Sequence, residues 1–350
     1  MMMRIPWCLF PLDWEGCRSR DRIRKKVAQM LDRSKQLSHA EGIFRIKTAS
    51  GAFLPVACFP SRDGRPARVV WMEFEGMNVD RPVQNEDLDQ PGSARAWFVT
   101  DWSACRPKGK SERAPLDGLI FHVARCGSTL AQRMLGVIPD LMVHWEPAVV
   151  TQALADPAST SLEGILSAYR DVAQSRGERV FIKCTSSNLL QSERLLDCVP
   201  DAPAIFIHRD PGEVLASVHG GAWYERLPES MRDPEGCLDP DEGNGRYLEA
   251  LMQAGLRLAE AGRVRCVEYP DLVGRLVDGD LPEHFGYRVD ATIRERMLAV
   301  SVINSKQPEA TFQIDTDRKA RIVADVPAIG REAERLKPLH EALRHWSVPP

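Results

Sequence analysis

Two short stretches carry most of the chemistry that can be read from this chain. The first is Gly118-Leu119-Ile120-Phe121-His122-Val123-Ala124-Arg125-Cys126-Gly127-Ser128-Thr129-Leu130, an apolar strand that turns into a helix bearing Leu130, Met134 and Leu135. A glycine at the helix start lets the backbone turn tightly. The first free N–H groups and the positive end of the helix dipole then face an anion. Ser128 and Thr129 add hydroxyl donors, and Arg125 adds a charge that can grip a phosphate bidentately. The second stretch is Ala204-Ile205-Phe206-Ile207-His208-Arg209-Asp210-Pro211-Gly212-Glu213-Val214-Leu215-Ala216-Ser217, again a strand that runs into a helix start. Asp210 suits the N-cap and Pro211 suits N1, with Glu213 closing a capping box. Arg209 falls at the carboxyl end of a parallel strand, where open sheets bind ligands, with a salt bridge to Asp210 or Glu213 as its competing use. Ser217 lies two helical turns on.

The first stretch resembles a Walker A loop incompletely. With Gly127 as the second glycine of GxxxxGK[ST], His122 takes the first glycine position, Ser128 the lysine position and Thr129 the Ser/Thr position. A magnesium–nucleoside triphosphate site uses that lysine on the β- and γ-phosphates. Here the nearest cation is Arg125, three positions before Ser128. Cys126 stands in an electropositive turn at a helix start, a setting that can activate a thiol, but no His and acid are spaced to use it. It reads as a small loop residue. His122 and His208 lie in apolar strands and read as core histidines.

Taken together, these segments resemble the sulfotransferase superfamily, whose members take a sulfuryl group from 3′-phosphoadenosine 5′-phosphosulfate (PAPS). Arg125-Cys126-Gly127-Ser128-Thr129 is similar to the family's [KR]-x-G-[ST]-[ST] loop, which holds the donor's 5′-phosphate. Arg209 and Ser217, eight positions apart, are similar to the pair that holds the 3′-phosphate. Lys183 in Val180-Phe181-Ile182-Lys183-Cys184-Thr185 matches a lysine that ends an intervening strand, and Tyr269-Pro270-Asp271-Leu272-Val273 looks like a downstream Y-x-D-L segment. The resemblance covers about residues 116–290.

What the resemblance implies is transfer of a sulfuryl group to a hydroxyl or amine on a small-molecule, carbohydrate or peptide acceptor. Lys183 would stabilise the bridging oxygen and the sulfuryl group, and Arg125 the charge of the departing nucleotide. With no γ-phosphate to bind and no acidic strand end of the Walker B type, metal-independent chemistry is expected. The general base is expected at Glu146, in Leu141-Met142-Val143-His144-Trp145-Glu146-Pro147, with His144 as its rival and a helix cap as its structural alternative. Thr185 fills the slot where other members carry a histidine base. The family's basic C-terminal loop has no R-K-G form here. Lys306 and Lys319 are weak candidates for it, and the stretch from Asp315 to Arg321 reads as a solvated charge run. An ATP-dependent phosphotransferase and a catalytically silent nucleotide-binding protein stand as alternatives.

The elements that must position these residues follow from pattern. Short apolar runs at 119–123, 141–144, 180–183, 204–208 and 264–267 alternate with helical segments near 128–137, 160–175, 187–198, 211–219 and 246–261. Such alternation predicts an α/β fold, a parallel sheet covered by helices on both faces. Before it, apolar runs broken by Ala49-Ser50-Gly51 and Arg62-Asp63-Gly64 predict a small antiparallel, β-rich module across 43–100, preceded by an amphipathic basic helix at 18–37. The breaker-rich Arg106-Pro107-Lys108-Gly109-Lys110-Ser111 sets the expected division at 1–110 and 111–350. A stretch rich in Pro, Gly, Asp and Glu from Trp223 to Asn244 reads as a loop or acceptor lid whose acidity suits a cationic or neutral acceptor.

Composition is consistent with this plan. The chain has 350 residues, 43% apolar and 27% charged, and a net charge of −3, which argues against an extended polyanion such as nucleic acid as partner. Nine scattered cysteines with no CxxC pair suggest thiols in a cytoplasm. No apolar run reaches the ~18 residues of a membrane span. The opening Arg4-Ile5-Pro6-Trp7-Cys8-Leu9-Phe10-Pro11 is interrupted by prolines and reads as an arm, not a signal.

Overall fold

The computed structural model describes residues 53–59, 68–73, 97–101, 116–155, 162–221, 223–226, 239–302 and 315–348. The expected helix at 18–37, the strand at 43–47 and Lys306 lie outside them. The chain divides into two compact units, one of residues 1–114 and 145–178, the other of 115–144 and 179–350. It therefore passes between units near 114, 144 and 178, where the sequence suggests a single boundary at 110.

In the first unit, β1 (Phe53–Phe59), β2 (Arg68–Glu73) and β3 (Trp97–Asp101) form an antiparallel sheet in that order. Leu54, Val56 and Cys58 alternate along β1 and are all buried, the period-2 mark of a strand with one covered face. Two helices from the later part of this unit cover it, Ala148–Ala155 and Leu162–Ser175. Gln152 Oε1 accepts from the Cys58 amide at 2.7 Å, and the buried Tyr169 hydroxyl donates to the Pro55 carbonyl at 3.0 Å. The β-rich module thus draws its cover from residues well downstream of it.

The second unit is built on β4 (Gly118–His122), β5 (Leu141–Trp145), β6 (Arg179–Lys183), β7 (Ala204–His208) and β8 (Arg265–Glu268), in the order β5-β6-β4-β7-β8. β4 pairs in parallel with β6 and β7, and β7 with β8. Every residue of β4 and β7 is buried. Because successive side chains point to opposite faces, both faces of the sheet are covered.

In order through the chain, α1 and α2 are Ser128–Leu135 and Ala148–Ala155, and α3 and α4 are Leu162–Ser175 and Ser192–Cys198. Next come α5 (Pro211–Val218), α6 (Pro240–Glu260), α7 (Leu272–Val277), α8 (Leu281–Phe285) and α9 (Ala291–Ser301). The last two are α10 (Thr316–Asp325) and α11 (Pro327–His345). In the second unit they sort into two layers, α1 with α7, α8 and α9, and α5 with α6, α10 and α11. A β-carbon at Gly255 would run into the Phe206 ring, so the glycine lets α6 lie directly against β7. No helix among the described residues is long and apolar enough to cross a membrane.

Two sequence expectations change here. The stretch read as a loop to Asn244 becomes helix from Pro240, because Asp239 caps the Asp241 amide at 2.8 Å and Pro240 takes the first turn. The stretch read as a solvated charge run is largely exposed as expected, but it is helical, α10 and its N-cap, and Lys319 within it is buried.

Arg275 ties the second unit together. It donates to both Asp280 oxygens at 2.7 and 2.8 Å and to the carbonyls of Cys266 and Ser347. Burial raises the Asp280 carboxyl, but the hydrogen bonds from Arg275 and Arg265 outweigh it and hold the group below its ordinary value. A depressed carboxylate contributes stability above its unfolded value and loses it as pH falls through the folded one. Arg275→Met should cost ~2–4 kcal/mol, because it leaves Asp280 with Arg265 alone and takes the shared donor from two carbonyls. Urea unfolding at neutral pH measures this, and the deficit should shrink in acid as Asp280 protonates.

Candidate functional site

Four adjacent strands deliver their carboxyl ends to one place. Ile120 stands opposite Lys183, His122 opposite Ile207, and His208 opposite Glu268. The residues just beyond β4, β7 and β8 are therefore neighbours, with Lys183 closing β6 beside them. The strand order reverses around β4, so this is also the crevice where open sheets bind ligands.

The turn after β4 is built to present N–H groups. Val123 still pairs with Ile207, its amide donating at 3.1 Å, and then the backbone goes left-handed at Arg125 (φ 60°) and at Gly127 (φ 84°). Left-handed backbone at a non-glycine residue costs of order 1–3 kcal/mol and persists only where its surroundings impose it. Gly127 is the N-cap of α1, has no side chain to cap the first turn, and no acid follows in that turn. A helix start that its N-cap side chain does not cap is a place for an anion. Ser128 is buried and Thr129 half-buried. Cys126 is buried and its thiol donates to the Val123 carbonyl at 2.9 Å. Burial pushes that thiol up to about 12, so it stays protonated and serves the turn.

Gly127 also answers to its neighbour. A β-carbon there would fall inside the Tyr269 ring, and the Arg209 guanidinium lies 4.1 Å from the centroid of the same ring. Loop, phenol ring and guanidinium form a continuous stack that joins the turn after β4 to the end of β7. Arg209 is 12% exposed and pairs with Glu213, the use that competes with ligand binding. Its Nε is buried with no hydrogen-bond partner among the described residues. The expected capping box is half made. Asp210 accepts from the Glu213 amide at 3.0 Å, but the Glu213 carboxylate turns to Arg209.

Helix α10 completes the cluster, and sequence reasoning underrated it. Lys319 Nζ lies 2.7 Å from Asp315 and 3.7 Å from Glu213, and Arg318 lies 3.3 Å from Asp315. Burial lowers the Arg125 guanidinium. Asp315 pulls it back up, while Arg209 and Arg318 press it further down. Among the described residues, Arg125, Arg209, Arg318 and Lys319 thus gather around two carboxylates, Glu213 and Asp315. Because Glu213 occupies the Arg209 guanidinium, Glu213→Gln should tighten binding of an anion such as pyrophosphate at this cluster by roughly 3- to 10-fold, the scale of one partly screened charge. Isothermal titration calorimetry reads this directly.

The other expected residues are placed as follows. Lys183 is among the largest fully buried side chains of the protein. The Ser217 hydroxyl turns back onto its own helix and donates to the Glu213 carbonyl at 2.9 Å. Glu146 follows β5 directly, belongs to the first compact unit and has left-handed backbone, φ 46°. His144 is buried, and burial pushes its imidazole down to about 3, which makes it a poor proton acceptor at neutral pH. Both core histidines are core: His122 and His208 are buried and directed at backbone carbonyls and at Ser347, respectively.

No known family profile matches the chain, and no curated protein matches it. Among solved structures it is similar to the sulfotransferase domain of the Synechococcus PCC 7002 olefin synthase, at 19% identity, covering 63% of this chain and 98% of that one, with a TM-score of 0.35. It is similar to a sulfotransferase from Mycobacterium avium at 17% identity over 61% of this chain and 76% of that one, TM-score 0.41. A sulfotransferase from Alicyclobacillus acidocaldarius is similar at 19% identity over 66% and 99%, TM-score 0.34.

Proposed function

We propose that this chain is a sulfotransferase that moves a sulfuryl group from PAPS to a hydroxyl or amine acceptor. One observation carries the reading: the stack of Gly127, Tyr269 and Arg209, which joins the turn after β4 to the end of the neighbouring strand β7. A ligand with phosphates at two ends of one nucleoside needs such a pair. The orphaned Nε of Arg209 supports the fit, because a buried donor without a partner is costly unless a ligand completes it.

In this reading Arg125 and the amides of Cys126, Gly127, Ser128 and Thr129 hold the 5′-phosphate. Arg209 and Ser217 hold the 3′-phosphate, with Lys319 beside them. Glu213 and Asp315 give up their cations, and the Ser217 hydroxyl swings off the Glu213 carbonyl. Lys183 donates to the bridging oxygen as negative charge builds there, a contribution that grows toward the transition state. Glu146, assigned on its place in the chain after β5, takes the proton from the acceptor hydroxyl or amine. The donor supplies the sulfuryl group; the protein supplies position and charge. The compartment we assign is the cytoplasm, on the spacing of nine scattered cysteines with no CxxC pair.

Incubation with PAPS and a panel of alcohols, sugars, peptides and amines is the test. Acceptor-dependent release of adenosine 3′,5′-bisphosphate is expected. Turnover of Mg·ATP in its place would make the chain a P-loop phosphotransferase, and nucleotide binding without any transfer would make it a silent nucleotide-binding protein.

A further inference from the structure

Two members of the stack are each preceded by a residue that the C-terminal helix grips. Arg209 follows His208, the last residue of β7, and Tyr269 follows Glu268, the last residue of β8, and these two strand ends are register partners. His208 Nε2 lies 2.7 Å from Ser347 Oγ, just past α11. The Ser347 hydroxyl donates its one proton to the Leu343 carbonyl at 3.0 Å, so His208 must be the donor in their contact. On β8, Glu268 Oε2 accepts from Arg344 Nε at 2.9 Å, and Oε1 lies 3.3 Å from His340 Nε2, in ion-pair range but poorly aligned for a hydrogen bond. Arg275 Nη1 bridges the Cys266 carbonyl of β8 to the Ser347 carbonyl at 2.6 and 2.8 Å.

The grip is one-sided. α11 packs on α5, α6, α10 and β8, whereas α1, which opens the Arg125–Gly127 turn, packs on α7 and α9. A disturbance of α11 is therefore delivered first to the strand ends that carry Arg209 and Tyr269, and it reaches the 5′-phosphate loop only at second hand, through the Tyr269 ring and α7.

We infer that α11 and the turn after it are the positioning element of the second anion place. By fixing the ends of β7 and β8 they set Arg209 over Tyr269, and so determine how far the site prefers a nucleotide with a 3′-phosphate over one with a 3′-hydroxyl. This rests on the sulfotransferase reading. His340, Arg344 and Ser347 are positioning residues, acting through Glu268 and His208.

The test compares two nucleotides on the full chain. Affinities for adenosine 3′,5′-bisphosphate and adenosine 5′-monophosphate are measured by calorimetry for wild type, Glu268→Gln, Arg344→Ala and Arg344→Lys. Glu268→Gln should weaken the bisphosphate by roughly 10- to 100-fold, the scale of a small misplacement of a binding group, and weaken the monophosphate by at least roughly fivefold less. Arg344→Ala, at a side chain 60% exposed, keeps the test alive if Glu268→Gln does not fold. It should shift the same ratio by less, and Arg344→Lys should restore it. Equal loss for both nucleotides, or an unchanged ratio in every variant, overturns the inference while the sulfotransferase reading stands. A wild type that binds neither nucleotide overturns that reading and the inference with it.

Discussion

Gly127→Ala is expected to abolish donor binding, with transfer falling by at least ~10³-fold, while the protein still folds. Two separate costs meet at this position. The backbone has φ 84°, in the left-handed region, and an L side chain there costs ~1–2 kcal/mol. The added β-carbon must also displace the Tyr269 ring, which the Arg209 guanidinium covers at 4.1 Å from its centroid. Moving the ring moves Arg209, so one methyl group disturbs both anion places. The loss of fold stability should be modest, ~2–3 kcal/mol, because the strain sits at the sheet's rim and not in its core. Urea unfolding and calorimetry with adenosine 3′,5′-bisphosphate separate the two effects. A folded variant with unchanged affinity would show that the stack does not hold the ligand.

The second large effect is expected at Glu146. If Glu146 is the base proposed above, Glu146→Gln should lower kcat by ~10²–10⁴-fold and leave nucleotide affinity unchanged. Glutamine keeps the shape and removes the basicity. His144 cannot take over, because its buried imidazole is pushed down to about 3. An unchanged kcat would remove Glu146 from the mechanism. A loss confined to acceptor KM would make it a binding group instead.

The sheet was readable because its strands are short apolar runs buried on both faces. Segments 119–123 and 204–208 required no tertiary information to recognise. The turn at Arg125–Thr129 was equally visible, since Gly127 before Ser128 and Thr129 is a local signal. Tertiary partners were less accessible. Arg209 could be placed at a strand end, but its choice of Glu213 over a free position depends on how α5 starts. Lys319 looked solvated because Asp315, Asp317, Arg318 and Arg321 surround it in sequence, and only the packing of α10 on α5 buries it against Glu213. Helices Ala148–Ala155 and Leu162–Ser175 lie within the α/β run of the chain, yet hydrogen bonds from Gln152 and Tyr169 attach them to β1, a pairing that no local pattern encodes. The start of α6 was legible and passed over, because Asp239-Pro240-Asp241 is a cap followed by a first-turn proline inside a stretch otherwise rich in breakers.

A thermal-shift titration of the wild-type chain tests most directly that the stacked site takes a nucleotide with phosphates at both ends. Adenosine 3′,5′-bisphosphate should stabilise the protein by ~2.7 kcal/mol at a hundred times its Kd, without added metal and with no comparable effect of Mg·ATP. No shift at millimolar bisphosphate, with Mg·ATP stabilising in its place, would contradict the account.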